Sequence, residues 1–233
     1  MKKLLLLALL LTRILSGFAQ TFPYTIPKEA TGDSAVVVSA HPIATKVGLD
    51  VLRKGGNAMD AAIAVQFALA VVYPQAGNIG GGGFLVYRTA KGDVSTLDFR
   101  EKAPDAATPK MFLDSMNRVI AGKSRLGIFA SGIPGTVDGM WEAHARYGRK
   151  SWSDLVTPAV DLAEQGYKIT EQEAQNLNEE RNNFLKVNGF VPAFVKMDEW
   201  KAGDLLVQPD LAKTLRRIVD EGRSGFYKGA TAA

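Results

Sequence analysis

The sequence predicts an α+β fold, and three observations carry that prediction. Ala58 to Val72 is apolar on nearly every face over helical length, FLVYRTA and VSTLDFR flank a KGD turn as a β-hairpin, and the second half is a series of capped amphipathic segments. With 233 residues, 46% hydrophobic and 22% charged, the chain has the composition of one globular domain able to bury a core. No repeat, low-complexity tract or linker divides it.

In chain order, residues 1–20 come first. MKKLLLLALLLTRILSGFAQ has Lys2 and Lys3, an apolar run from Leu4 to Leu11, and small residues towards Ala19 and Gln20. This is the layout of a secretory signal peptide, cleaved near Ala19 or Gln20, and its run is too short for a membrane span. The expectation is an exported protein, periplasmic or extracellular, with no membrane span after signal removal. Residues 21–233 then form one incomplete domain.

Ser34 to Ala40, SAVVVSA, reads as a short buried strand, a β-branched run between turn formers. From Ile43 the pattern turns helical, with Val47, Val51 and Leu52 on one side and Gly55 and Gly56 as the stop. Asn57 is a cap for the next helix, and Asp60 sits in its first turn. That helix is apolar all round, yet Gln66 interrupts it and Ala61, Ala62 and Ala64 favour close packing, so it belongs inside protein rather than in lipid. The glycine run Gly80–Gly83 and the hairpin follow. Ser131 to Pro134 makes a turn before a helix running through Trp141 to Tyr147; SWSDLVTPAVDLAEQG is another helix ending at Gly166; Thr170 and Glu173 form a capping box. Asp210 is expected to cap a last helix with Leu211, Leu215, Ile218 and Val219 on one face. About three strands are legible, fewer than a layered sheet domain uses, and GATAA ends the sequence without a closing element. It reads as a fragment.

Composition excludes several chemistries. There is no cysteine, so disulfides, thiolate metal sites and a cysteine nucleophile are out. His41 and His144 are the only histidines, too few for a multi-histidine metal site, and both are expected to be structural. Removal of residues 1–20 takes away three basic groups and leaves 25 basic against 24 acidic side chains, a charge of +1 instead of +4. No basic stripe interleaved with aromatics points to nucleic acid.

Four consecutive glycines suggest a phosphate cradle. Counted from Gly80 or Gly81, however, the third glycine of a dinucleotide fingerprint falls on Leu85 or Val86, and a strand follows where a helix N-terminus is needed. AGKS at 121–124 has Asn117 where a P-loop requires glycine. The run is instead expected to pass close beneath another element or to adopt positive φ. Among polar residues Arg100 stands out. Val94, Thr96, Asp98 and Arg100 share one strand face and Leu97 and Phe99 the other, which brings the guanidinium to a strand end beside Asp98. Its fork suits a substrate carboxylate held bidentately, or else an internal pair with Asp98 or Glu101.

Several stretches, in matching order from about Ala35 to Gly229, carry a family likeness: GLDVLRKGGNAMDAAIAVQFALAVVYPQAGNIGGGGFLVYR, LDFREKAP, MFLD, SGIPGTVDGMWEAHARYG and FYKG. They resemble the amino-terminal, large-subunit part of gamma-glutamyltransferases, also called gamma-glutamyltranspeptidases or glutathione hydrolases. The resemblance implies an αββα sandwich of the N-terminal-nucleophile hydrolase type, present here only as its N-terminal portion. It also implies a proenzyme that cleaves itself, after which the new amino-terminal threonine of the small subunit attacks the γ-glutamyl amide. Implied partners are glutathione or other γ-glutamyl compounds, acceptor amino acids or peptides, and the C-terminal small subunit; no cofactor or metal is implied. Carried over, the match puts Arg100 of DFRE on the arginine that grips the substrate α-carboxylate. No threonine here stands in the processing-site context, so no catalytic residue is expected in this chain and the fragment alone is expected to be inactive. Close alternatives are an acylase or a poly-γ-glutamate-cleaving relative; a further one is a non-catalytic exported module that binds carboxylates.

Overall fold

The computed structural model describes residues 29–233, and the expected signal peptide lies outside the described residues. Helix α1 (Pro42–Arg53) starts at His41, whose Nδ1 accepts the Ile43 N–H, with Pro42 at the first helical position. Helix α2 (Ala58–Val72) begins in a reciprocal capping box between Asn57 and Asp60. Asp60 is fully buried, and its other carboxylate oxygen accepts the N–H groups of Arg149 and Lys150, so every local donor has a use for it.

The hairpin is strands β1 (Phe84–Arg88) and β2 (Val94–Asp98), antiparallel, with Phe84 opposite Asp98 and Arg88 opposite Val94. Gly92 supplies the positive φ that its tight turn requires. After β2 the chain runs from Lys102 to Ile133 with a 3₁₀ turn at Ile128–Ala130 and an isolated antiparallel bridge between Leu113 and Val119. Helices α3 (Thr136–Tyr147) and α4 (Trp152–Gln165) follow, then β3 (Tyr167–Lys168), α5 (Glu171–Val187), β4 (Leu205–Leu206), α6 (Pro209–Glu221), α7 (Ser224–Tyr227) and α8 (Gly229–Ala232). Strands β3 and β4 pair antiparallel, a second small sheet too short to be legible from periodicity.

Helix α2 is the centre of the helical layer. It packs between α1 and α4, and α4 packs in turn on α6. Phe67, Ile63 and Val71 of α2, Leu155 and Val160 of α4, and Leu215 and Ile218 of α6 have essentially no exposure. The all-round apolar surface of α2 is thus accounted for, with Gln66 bonding the Asn78 carbonyl at its edge. Both histidines make structural contacts: His41 caps α1 and lies 3.4 Å from the Glu173 carboxylate, and the His144 ring bonds the Lys150 carbonyl at 2.8 Å.

Two expectations are corrected. Residues 34–40 belong to no strand: the segment runs beside α1 and α2 with Val36 and Val38 exposed, because the described chain offers no strand to complete its hydrogen-bond ladder. Asp210 is not the cap of α6. Gln208 holds the N-cap position, Pro209 takes the first helical position, and Asp210 falls within the first turn. The Gln208 side chain reaches across the core to donate to the Val71 carbonyl at 2.8 Å.

Candidate functional site

The strand alternation of β2 continues past its last residue. Phe99 turns inward and Arg100 outward, on the face of Val94, Thr96 and Asp98 as their spacing predicts. Asp98 is not the partner of the guanidinium. Its carboxylate turns back to accept the Arg100 backbone N–H at 3.0 Å, a local turn that consumes it. The guanidinium lies 3.5 Å from Glu101 Oε1 and 5.9 Å from the Phe84 ring centre, and the side chain is 61% exposed. An exposed pair at that distance contributes at most about 1 kcal/mol, so a bidentate carboxylate could displace it.

The backbone beneath Arg100 is held far more firmly than its side chain. Lys102 and Ile133 exchange both backbone hydrogen bonds, at 3.0 and 2.7 Å. The N–H groups of Gly135 and Thr136 both donate to the Gly81 carbonyl, at 2.7 and 3.1 Å. Asn78 Oδ1 accepts from Gly81 N–H at 2.9 Å and from the Thr136 hydroxyl at 2.7 Å. The glycines permit this closeness. A Cβ on Gly82 would stand 2.6 Å from Arg100 Cα, one on Gly83 2.9 Å from the Phe99 ring, and one on Gly135 2.0 Å from the Phe99 carbonyl oxygen. None of Gly80–Gly83 has positive φ, so close approach is what two members of the run, Gly82 and Gly83, serve; a Cβ on Gly80 would meet nothing. The amide N–H groups nearest the run, at the start of α3, already donate to the Gly81 carbonyl, which leaves them no hydrogen to donate to a phosphate.

Arg100 opens onto a groove of about 570 Å³ between the end of the hairpin, the first turns of α3, and α7. Lys102, Asp138, Glu142, Arg223 and Tyr227 also line it. Arg223 pairs with Asp138 at 2.8 Å. Tyr227 donates its hydroxyl to the Pro134 carbonyl at 2.9 Å and accepts the Asp138 N–H at 3.2 Å. Burial pushes its phenol above the usual tyrosine value, so the hydroxyl stays a neutral donor. Sequence reading missed this convergence, since more than ninety residues separate Pro134 from Tyr227 along the chain; the FYKG stretch was its only trace. Among the described residues no three His, Asp or Glu side chains are grouped as metal ligands would be.

The gamma-glutamyltranspeptidase family model matches residues 44–233. The glutathione hydrolase proenzyme of Pseudomonas sp. strain A14 is 48% identical over 202 residues, covering 86% of this chain and 35% of that protein. The crystal structure of Helicobacter pylori gamma-glutamyltranspeptidase superimposes with a TM-score of 0.84 at 48% identity, covering 88% of this chain and 59% of that one. That of the gamma-glutamyltranspeptidase from Pseudomonas nitroreducens, complexed with L-DON, gives 0.80 at 46%, covering 87% and 59%. The fold is therefore the αββα sandwich of the N-terminal-nucleophile hydrolases, of which this chain forms a part, and it spans about a third of the length of the curated relatives it matches. This chain belongs to the gamma-glutamyltranspeptidase family.

Proposed function

We propose that this chain is part of the large subunit of an exported proenzyme that cleaves the γ-glutamyl amide of glutathione and passes the γ-glutamyl group to water or to an acceptor amino acid or peptide. Residues 1–20 are its signal peptide and residues 21–233 its contribution to the catalytic domain. The observation that carries the reading is Arg100: a half-free guanidinium at the rim of a groove, on a backbone locked from both sides.

In this reading Arg100 binds the α-carboxylate of the donor through two parallel N–H···O bonds and so fixes the γ-carbonyl for attack. The nucleophile, a threonine hydroxyl freed by self-cleavage, is supplied by the small subunit. Its oxygen bonds to the carbonyl carbon of the γ-glutamyl amide as its proton passes to the new α-amine, the C–N bond breaks and the leaving amine departs with that proton; water or an amine then takes the acyl group. The exposed outer face of the hairpin, with Phe84 and Val86 on it, and the hollow between residues 34–38 and helices α1 and α2 support a small subunit that covers both.

The test is hydrolysis of γ-glutamyl-p-nitroanilide by the full-length proenzyme and its Arg100→Ala variant. Loss of two charge-assisted bonds is expected to raise KM roughly 10- to 100-fold with kcat largely kept. An unchanged KM overturns the assignment. The isolated chain is expected to be inactive, and release by it of p-nitroaniline would place a nucleophile where none is proposed.

A further inference from the structure

We infer that Tyr227 is a positioning residue for Arg100, an inference that rests on reading Arg100 as the carboxylate clamp. Tyr227 touches neither the guanidinium nor any group proposed to react. Its hydroxyl instead makes two bonds that straddle the start of α3, one to the Pro134 carbonyl just before the helix and one from the Asp138 N–H within its first turn.

Besides the local Asp98 bond and the Phe99 N–H bond to the Gly83 carbonyl, the holds on the Arg100 backbone pass through the residues between or next to those two bonds. Ile133, directly before Pro134, pairs with Lys102, two residues beyond Arg100. Gly135 and Thr136 hold the Gly81 carbonyl, and the following Gly82 abuts Arg100 Cα so closely that a single Cβ would strike it. The arm is thus gripped on one side by the glycine run and on the other by the turn that Tyr227 fastens. Without the hydroxyl, the Pro134 carbonyl and the Asp138 N–H lose a common partner, and the turn gains freedom that Arg100 inherits. A misplaced clamp costs affinity for the carboxylate it should meet while leaving the reacting groups of the small subunit untouched.

The experiment compares two substrates in the full-length proenzyme: γ-glutamyl-p-nitroanilide and 4-aminobutyryl-p-nitroanilide, which keeps the amine but lacks the α-carboxylate. The ratio of their kcat/KM values measures what the clamp contributes. Tyr227→Phe, which keeps the ring, is expected to lower that ratio about tenfold through the γ-glutamyl KM, with the 4-aminobutyryl value within about twofold of the parent. In an Arg100→Ala background it is expected to add nothing. Phe226→Leu disturbs the ring packed 5.0 Å from Tyr227 but spares the hydroxyl, and is expected to leave the ratio unchanged. If Tyr227→Phe slows both substrates equally, or Phe226→Leu lowers the ratio as much, Tyr227 is merely structural and the inference is overturned. If Arg100→Ala itself leaves the ratio intact, the clamp reading fails first and takes the inference with it.

Discussion

The helical layer and the hairpin arm are built from similar fractions of apolar residues, but they use them in opposite ways. In α1, α2, α4 and α6 the apolar side chains face one another, and the largest of them are shut off from water. On the hairpin only Leu85, Tyr87, Leu97 and Phe99 turn towards the core, while Phe84, Val86 and Val94 stand on the outer face at 68%, 75% and 63% exposure. One region has its partner within the chain and the other presents a face that asks for one. The helical layer therefore carries the stability, and the arm, with Arg100 at its end, carries the proposed carboxylate clamp.

The largest effect that would test this division is Phe67→Ala. Emptying a site with no exposure at the centre of α2 is expected to cost about 3–5 kcal/mol, read as a shift in the urea midpoint of this chain. A loss below 1 kcal/mol would mean that the layer is not the source of stability. Next is Gly135→Ala, which forces a methyl against the Phe99 carbonyl and is expected to cost about 1–3 kcal/mol while displacing the arm. Its signature in the proenzyme is a higher γ-glutamyl KM, which Phe67→Ala in a still-folded enzyme should not give.

A smaller effect concerns Glu173. Burial pushes its carboxyl up, but hydrogen bonds from His41 and Thr170 outweigh that and hold it below the usual glutamate value. A depressed carboxylate contributes stability that is whole above its unfolded-chain value and is lost as pH falls through the folded one. The parent is therefore expected to lose its advantage over Glu173→Gln between about pH 5 and pH 3, in urea midpoints measured at each pH. A constant difference across that range would detach the pair from acid stability. The smallest effect is Val86→Ser on the outer face, expected to stay within about 0.5 kcal/mol in this chain. A clearly larger cost in the proenzyme than in the chain would show that the face becomes buried there.

Local pattern made much of the fold legible. The two capping boxes, at Asn57 with Asp60 and at Thr170 with Glu173, lie within four residues and need only short-range hydrogen bonds. The hairpin and the inward and outward alternation that exposes Arg100 follow from a period of two. The strand reading of SAVVVSA failed for the complementary reason: β-branched residues favour extension, but a strand exists only where another backbone pairs with it. Asp210 lost its capping role to Gln208 because the choice depended on a neighbouring proline and a contact across the core.

By itself the sequence determined the periodicities, the two capping boxes, the lack of cysteine in this chain and, through its likeness to a known family, the residue proposed to grip a carboxylate. Only the tertiary structure decided that Asp98 serves the Arg100 backbone rather than its side chain, that Gly82 and Gly83 are small so that the arm can lie against them, and that Tyr227 fastens the turn holding that arm. Apart from the Asp98 bond, which spans two positions, those are contacts between residues sixteen or more positions apart. No local propensity encodes them, because they come into being only when packing brings the backbones together.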